Sequence, residues 1–180
     1  LKNVQRRNYN ADDSRRENTA EHSWQIIILA QILYPYAKNN TEINLLRVIR
    51  MLSIHDLVEI DAGDTFLFDE EGMKGKFERE KLAAKKIFGI LDEPLSSEFY
   101  NLWIEFEEEA TPDAIFACAI DRMMPFILNT YTSGKSWTEA GVTEKQVRNM
   151  LENAICRASD DMGDCFQLLM KKCFDEKKFS

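Results

Sequence analysis

Apolar residues recur along the chain with the spacing of amphipathic helices, and short polar breaks separate the segments. In residues 42–60, leucine and isoleucine return every three or four positions, which places them on one side of a helix. No segment sustains the apolar–polar alternation typical of a strand, and the chain has only 7 glycines and 4 prolines. The pattern therefore predicts an all-α fold.

Start and stop signals give the predicted helices approximate bounds. Asn18 or Thr19 is expected to cap a helix that runs to about residue 38, because Glu21 follows Asn18 with the spacing of a capping box. Thr111 and Pro112 have the N-cap and first-turn preferences of a helix that is predicted to reach about 132. Residues 61–75 contain three glycines and predict a loop, and the segment TSGKSW predicts a turn. The other predicted helices cover 42–60, 76–91, a segment opened by Pro94 and Ser96, 143–157 and 160–177.

The chain shows neither an internal repeat nor a linker, so residues 1–180 are predicted to form one domain. Its expected parts are an N-terminal segment (1–17), a helical core (18–132) and a set of C-terminal helices (133–180).

Composition excludes several classes of protein. The formal charge of −8 argues against broad binding to a nucleic acid polymer or an anionic membrane. The most apolar stretch, WQIIILAQILYPYA, is too short to span a bilayer, and no signal peptide is visible at Leu1. The four cysteines form no CxxC pair, which favours reduced thiols and a cytoplasmic protein. They are Cys118, Cys156, Cys165 and Cys173.

The chain has only two histidines, and one of them adjoins an aspartate within the helix predicted over 42–60. Glu59 lies four positions after His55 and three after Asp56, so the three side chains share a helical face. Burying even one neutral polar group without a partner costs roughly 2–7 kcal/mol. A metal ion is one partner that would offset this cost.

Two more residues are candidate ligands. His22 lies in the first turn of the first predicted helix, and Asp121 is an isolated acid in the apolar segment FACAIDRMMPF. Each also has an ordinary structural interpretation: His22 as a surface residue, and Asp121 as a partner of Arg122 or of a neighbouring helix. A His-Asp pair alone is a weak signal.

The joint order of these residues, a histidine, then His-Asp, then an aspartate, resembles the HD phosphohydrolases. The segments RxENxAEHSW, HDLVEIDAGD, REKLAAKKI and LWIEFEEEATPDAIFACAIDRMMPFILN are similar to the branch that contains 5′-deoxynucleotidases. The resemblance covers most of residues 6–130 and implies a helical HD fold. It also implies a bound divalent metal, hydrolysis of a nucleoside 5′-monophosphate to nucleoside and phosphate, and a homodimer.

The resemblance also implies roles for individual residues. Glu59 matches the catalytic glutamate, Asp64 an aspartate beside the substrate, and Arg7 the arginine that binds the phosphate. Asn8 stands where bacterial relatives have a tryptophan against the sugar, so weaker rejection of ribonucleotides is expected. The residues that match the metal ligands are His22, His55, Asp56 and Asp121.

Because the chain has only two histidines, a single divalent ion is the expected cofactor. A donor set of two nitrogens and two carboxylates suits Mn, Fe, Co, Ni or Zn, and Mg is also included among the candidates. Two alternatives remain open. The first is an HD phosphohydrolase acting on a deoxynucleoside triphosphate or another phosphorylated metabolite. The second is a non-enzymatic domain that binds nucleotide or metal.

Overall fold

A computed structural model describes residues 1–175, and most of them are helical. The end predicted for the last helix, at 177, lies outside the described residues, as do the last five residues of the predicted domain. The long helices are α1 (Thr19–Leu33), α2 (Leu45–Ile54), α5 (Lys76–Phe88), α6 (Leu95–Glu108), α7 (Pro112–Tyr131), α9 (Glu144–Ala158) and α10 (Asp160–Asp175). Shorter ones are α3 (Glu59–Ala62), α4 (Glu70–Met73) and α8 (Lys135–Ala140). The all-α prediction is confirmed.

The two strongest helix-start predictions are also confirmed. The Asn18 side chain accepts a hydrogen bond from the Glu21 backbone N–H, and the Glu21 carboxylate accepts one from the Asn18 N–H, which completes a capping box on α1. Thr111 caps α7 by accepting from the Ala114 N–H, and Pro112 follows as the first helical residue. Both signals depend only on neighbouring residues, so the sequence was sufficient to place them.

Three predicted bounds were wrong. The first helix ends at Leu33 rather than about 38, because Pro35 follows in a 3₁₀ turn, Tyr34–Tyr36. The helix predicted over 42–60 is interrupted by another 3₁₀ turn, His55–Val58, between α2 and α3. The segment predicted as the turn TSGKSW already contains the first residues of α8, which begins at Lys135.

A two-stranded antiparallel sheet precedes the helices and was not predicted. It pairs β1 (Gln5–Tyr9) with β2 (Arg16–Asn18), and the aligned positions are Gln5 with Asn18 and Tyr9 with Arg16. Three residues of β1 lie between these positions where β2 has Glu17 alone, so the pairing contains a bulge. Bulges redirect side chains, and this one lies beside the candidate site.

Helix α7 lies at the centre of the fold and contacts α1, α2, α6 and α9. Its Phe116, Ile120 and Phe126 are completely or almost completely buried, as are Trp103 of α6 and Trp137 of α8. The central position of α7 brings Asp121 close to the histidines of α1 and of the turn after α2. Within residues 1–175, the helices fall short of the length and apolarity that a bilayer crossing would need.

Candidate metal and phosphate site

Three elements that are distant in sequence bring His22, His55 and Asp121 to one place. Each of the three offers a ligand atom, and these atoms all lie within 4.8 Å of one another. The Nε2 atom of His22 is 2.8 Å from Asp121 Oδ1, and the Nε2 atom of His55 is 3.5 Å from the same oxygen. Both rings are buried, whereas the side chain of Asp121 is 26% exposed. The cluster therefore has one open side, at Asp121.

Asp56 completes the cluster of candidate ligands. Its Oδ1 lies 3.0 Å from His55 Nε2, and its Oδ2 lies 3.9 Å from His22 Nε2. The backbone carbonyl of Leu52 can only accept, so its 3.0 Å contact with His55 Nδ1 places the imidazole proton on that nitrogen. The buried Nε2 of His55 has no hydrogen bond of good geometry, and it faces the carboxylates of Asp56 and Asp121. Two nitrogens and two carboxylates arranged in this way suit a divalent metal ion.

Glu59 and Asp64 lie beside this cluster. The Thr19 hydroxyl donates to Glu59 Oε2 over 2.9 Å, and Arg6 Nη1 is 3.9 Å from Glu59 Oε1 and 3.7 Å from Asp64 Oδ1. In a 3₁₀ turn, positions three apart lie above one another, so Asp56 and Glu59 share a face as the sequence analysis expected. The Thr19 hydroxyl thus holds Glu59 beside the four candidate ligands.

The structure brings Arg6 to the acidic side chains, whereas the resemblance implied Arg7 as the phosphate-binding arginine. Its Nη1 is 3.1 Å from Asp56 Oδ2, and its Nε is 3.5 Å from Glu17 Oε1. Along β1 the burial alternates, so Arg6 and Asn8 are turned inward while Arg7 is exposed, although Arg7 still contributes to the lining of the cavity. The strand and its register were not predicted, which is why the sequence did not distinguish the two arginines.

Charge and burial shift the protonation of the whole cluster. Burial and the neighbouring carboxylate of Asp56 raise the pKa of Glu59 to about 9. Burial alone would lower the pKa of His55, but the negative charges of Asp56 and Asp121 outweigh it and raise this pKa. Arg6 is the only arginine or lysine of the described chain that forms ion pairs with Asp56, Glu59 or Asp64. Without a metal ion, the protons on Glu59 and His55 and the charge of Arg6 offset the negative charge of the aspartates, and a divalent cation would offset it in place of these protons.

A cavity of about 370 Å³ opens beside the cluster. Polar residues of the cluster, including Arg6, Asp56, Glu59, Asp64 and Asp121, form one part of its lining. The lining also includes six aromatic residues, which are Phe66, Phe68, Phe77, Phe106, Phe126 and Trp137. Asn8 also lines the cavity, and its amide donates to the Pro125 carbonyl of α7 over 3.1 Å. A volume of this size is typical of small-molecule sites.

Glu17 is one more buried residue of the site, and it was not predicted. Glu17 is completely buried, and its Oε1 lies 3.8 Å from His22 Nδ1 as well as 3.5 Å from Arg6 Nε. Burial raises the pKa of Glu17 to about 7. The motif RxENxAEHSW contains this glutamate one position before the cap of α1, but without the strand nothing in the sequence indicated that its side chain turns inward.

Comparisons with known proteins agree with this geometry. The family model described as HD domain matches residues 1–162. A crystal structure of a predicted metal-dependent phosphohydrolase from Magnetospirillum magnetotacticum superposes with a TM-score of 0.94 at 40% identity, covering 100% of this chain and 89% of that one.

Curated relatives share a part of the chain. The 5′-deoxynucleotidase HDDC2 of Danio rerio is 30% identical over 107 residues, which are 59% of this chain and 51% of the relative. The protein of the same name from Homo sapiens is 29% identical over 108 residues, 60% of this chain and 50% of the relative. The match thus spans about half the length of these curated relatives. The family match over residues 1–162, with the histidine and aspartate cluster that the fold assembles, shows that the chain belongs to the HD domain family.

Proposed function

We propose that this protein is a metal-dependent phosphohydrolase that converts nucleoside 5′-monophosphates, with deoxynucleotides preferred, into nucleoside and phosphate. The observation that carries the proposal is the cluster of His22, His55, Asp56 and Asp121, which shares a cavity with Arg6 and Glu59. The names of the HDDC2 relatives and of the similar bacterial structure support the same chemistry.

His22, His55, Asp56 and Asp121 are proposed to hold one divalent ion. The Nε2 of His55, which has no hydrogen bond of good geometry, and the carboxylates that it faces fit such an ion, and its donor set is compatible with Mn, Fe, Co, Ni, Zn or Mg. A bound divalent ion supplies an activated water and offsets charge on the phosphoryl group. This chemistry is needed because phosphate monoesters are among the bonds most resistant to hydrolysis in water.

Glu59 is proposed as the group that, with its pKa lowered by the charge of a bound ion, takes a proton from the attacking water and returns one to the leaving 5′ oxygen. Its carboxylate is fixed by Thr19 and lies within 3.9 Å of Arg6, so its position in the cavity is defined. A positioned acid or base of this kind contributes on the order of 10²–10⁴ in rate. Asp64 lines the same cavity and is proposed to contact the substrate and orient the water.

Arg6 is proposed to bind the phosphate, with Arg7 at the edge of the cavity in a secondary role. The guanidinium of Arg6 is already held against the acids beside the open side of the cluster, where a phosphoryl group would lie. A guanidinium can give two parallel hydrogen bonds to phosphate oxygens. The aromatic residues of the cavity lining provide an apolar surface against which a nucleobase can stack.

We also propose an assembly and a location for the protein. Helix α1 exposes Trp24, Ile28 and Ile32, which stand four residues apart on one face, while its other face enters the core. A helix that is apolar on both faces is typical of an element covered on both sides, so we propose a homodimer that buries this stripe.

The four free cysteines and the charge of −8 support a cytoplasmic protein that binds neither membrane nor nucleic acid polymer. We propose that residues 1–180 act as one domain, whose segment 1–17 supplies Arg6 to the core of 18–132 and whose helices of 133–180 complete the fold.

A phosphate-release screen tests the function. Purified protein, stripped with a chelator and reloaded with Mn, Co, Mg or Zn, is assayed with nucleoside mono-, di- and triphosphates. Release from 5′-deoxynucleoside monophosphates in preference to the others is the expected result. Preference for a triphosphate would identify another kind of HD phosphohydrolase, and release from no nucleotide would favour a binding domain.

A further inference from the structure

Four buried polar atoms without hydrogen-bond partners meet between the β-hairpin and α1. They are both carboxylate oxygens of Glu17, the Nε atom of Arg6 and the Nδ1 atom of His22. Unpaired buried polar atoms are uncommon and destabilising, and more so when the group is charged. Because these four atoms lie close together, small movements of the three side chains would let them form hydrogen bonds with one another.

The fold places Glu17 between the other two residues. It is the central residue of β2, and it faces inward opposite the bulge of β1 that turns Arg6 to the same side. The cap of α1 follows at once, so His22 lies one turn into the helix and presents Nδ1 to the same carboxylate. Glu17 Oε1 is 3.5 Å from Arg6 Nε and 3.8 Å from His22 Nδ1, and the side chains of Glu17 and His22 are fully buried.

The remaining atoms of these two partners face the site. His22 presents Nε2 to Asp121 and Asp56, and Arg6 presents Nη1 to Asp56 and Asp64. When Nε2 of a histidine is a ligand, its lone pair is used there and the ring proton resides on Nδ1, which then needs an acceptor. Glu17 is the acceptor within reach of that nitrogen, and it also faces the Nε–H of Arg6.

We infer that Glu17 is a positioning residue that holds the His22 ring and the Arg6 guanidinium at the same time. It thereby links the metal-binding histidine to the phosphate-binding arginine, although it does not itself line the cavity. The inference rests on the proposed function in assigning metal to His22 and phosphate to Arg6. Loss of a carboxylate behind a ligating histidine typically lowers metal affinity 10- to 100-fold.

Two affinities, neither of which requires turnover, test this inference. The dissociation constants of Mn²⁺ and of inorganic phosphate, the latter on Mn²⁺-loaded protein, are measured for the wild type, Glu17→Gln and Glu17→Asp. Glu17→Gln keeps the shape but loses the charge, and both constants are expected to rise about 10-fold or more. Glu17→Asp keeps the charge but shortens the reach, and intermediate values are expected. The matched control is Asp113→Asn, which removes another buried carboxylate of the same core, one that accepts from the Asn44 backbone and faces Arg47.

The tautomer of His22 provides a second readout that a merely structural role would not change. With only two histidines in the chain, long-range ¹H–¹⁵N spectra of Zn²⁺-loaded protein separate His22 from His55. The wild type is expected to show a protected Nδ1 proton on His22 that Glu17→Gln weakens, with the spectrum of His55 unchanged. A lower melting temperature with both dissociation constants preserved, or a change in only one of them, would overturn the inference. A wild type that binds both ions but releases no phosphate from nucleotides would instead contradict the proposed function alone.

Discussion

The Nη1 atom of Arg6 lies 3.1 Å from Asp56 Oδ2, so an arginine of the first strand directly contacts a candidate metal ligand that follows α2. The contact depends on the alternation of β1, which turns Arg6 and Asn8 inward and leaves Arg7 exposed. Two adjacent arginines thus have different environments, and the difference can be measured.

Replacing Arg6 should impair phosphate binding far more than replacing Arg7. Arg6→Ala removes a charge-assisted donor that is largely enclosed, and such hydrogen bonds are worth about 1.5–3 kcal/mol, or roughly 10- to 150-fold in affinity. The Kd of inorganic phosphate and the KM for a deoxynucleoside monophosphate are therefore expected to rise by about that factor. Arg7→Ala serves as the matched control, with an expected effect below about 3-fold. Equal effects of the two changes would refute this ranking.

Much of the helical framework could be predicted because its signals are local. The capping box of Asn18 and Glu21 and the start of α7 at Thr111 and Pro112 each depend on residues within one turn. The HD pattern also placed the histidines and aspartates together. The strands could not be predicted in this way, because β2 has only three residues and its pairing with β1 joins positions up to 13 apart. Arg6 and Glu17 depend on that pairing, and both were missed.

Glu59 should destabilise the metal-free protein as the pH rises. Its folded pKa of about 9 exceeds the ordinary value of 4.5, so over this range the folded state holds a proton that the unfolded state releases. The free energy of unfolding therefore falls between about pH 4.5 and pH 9. Glu59→Gln removes this dependence and should unfold at a higher temperature than the wild type at pH 8, by roughly 5 °C, but at a similar temperature at pH 4.5. Thermal unfolding in the presence of a chelator is the measurement, and a difference that is constant with pH would contradict the expectation.

Asn8 should influence the choice between ribose and deoxyribose. It is buried, lines the cavity and is fixed by the Pro125 carbonyl, so Asn8→Trp would disturb α7 and is not a useful variant. Asn8→Leu is close in size but has no amide to bond with a 2′ hydroxyl. The kcat/KM for AMP is expected to fall about 5- to 10-fold relative to that for dAMP, which corresponds to the loss of about one hydrogen bond. An equal decrease for both nucleotides would assign Asn8 to the packing of α7 alone.

The apolar stripe of α1 should mediate dimerisation. Ile32 is 60% exposed in the single chain, and Ile32→Glu would place a charge in the surface that a second copy is proposed to bury. Light scattering after size exclusion is expected to show a dimer for the wild type and a monomer for Ile32→Glu. Leu82→Glu is the control, because Leu82 is 68% exposed on α5 and should leave the dimer intact. A monomeric wild type would contradict the proposed assembly.

In the proposed function, one metal ion held by His22, His55, Asp56 and Asp121 supports hydrolysis of deoxynucleoside monophosphates. Its most direct test is phosphate release from dAMP by chelator-stripped protein as Mn²⁺ is added in measured equivalents. No release is expected before addition, and release should then increase linearly until one equivalent per chain is present. Under the same titration, Asp121→Asn should neither bind the ion tightly nor release phosphate. Glu59→Gln should bind one equivalent and lose on the order of 10²–10⁴ in kcat. Full activity in the stripped protein, or an increase that continues to two equivalents, would contradict the claim.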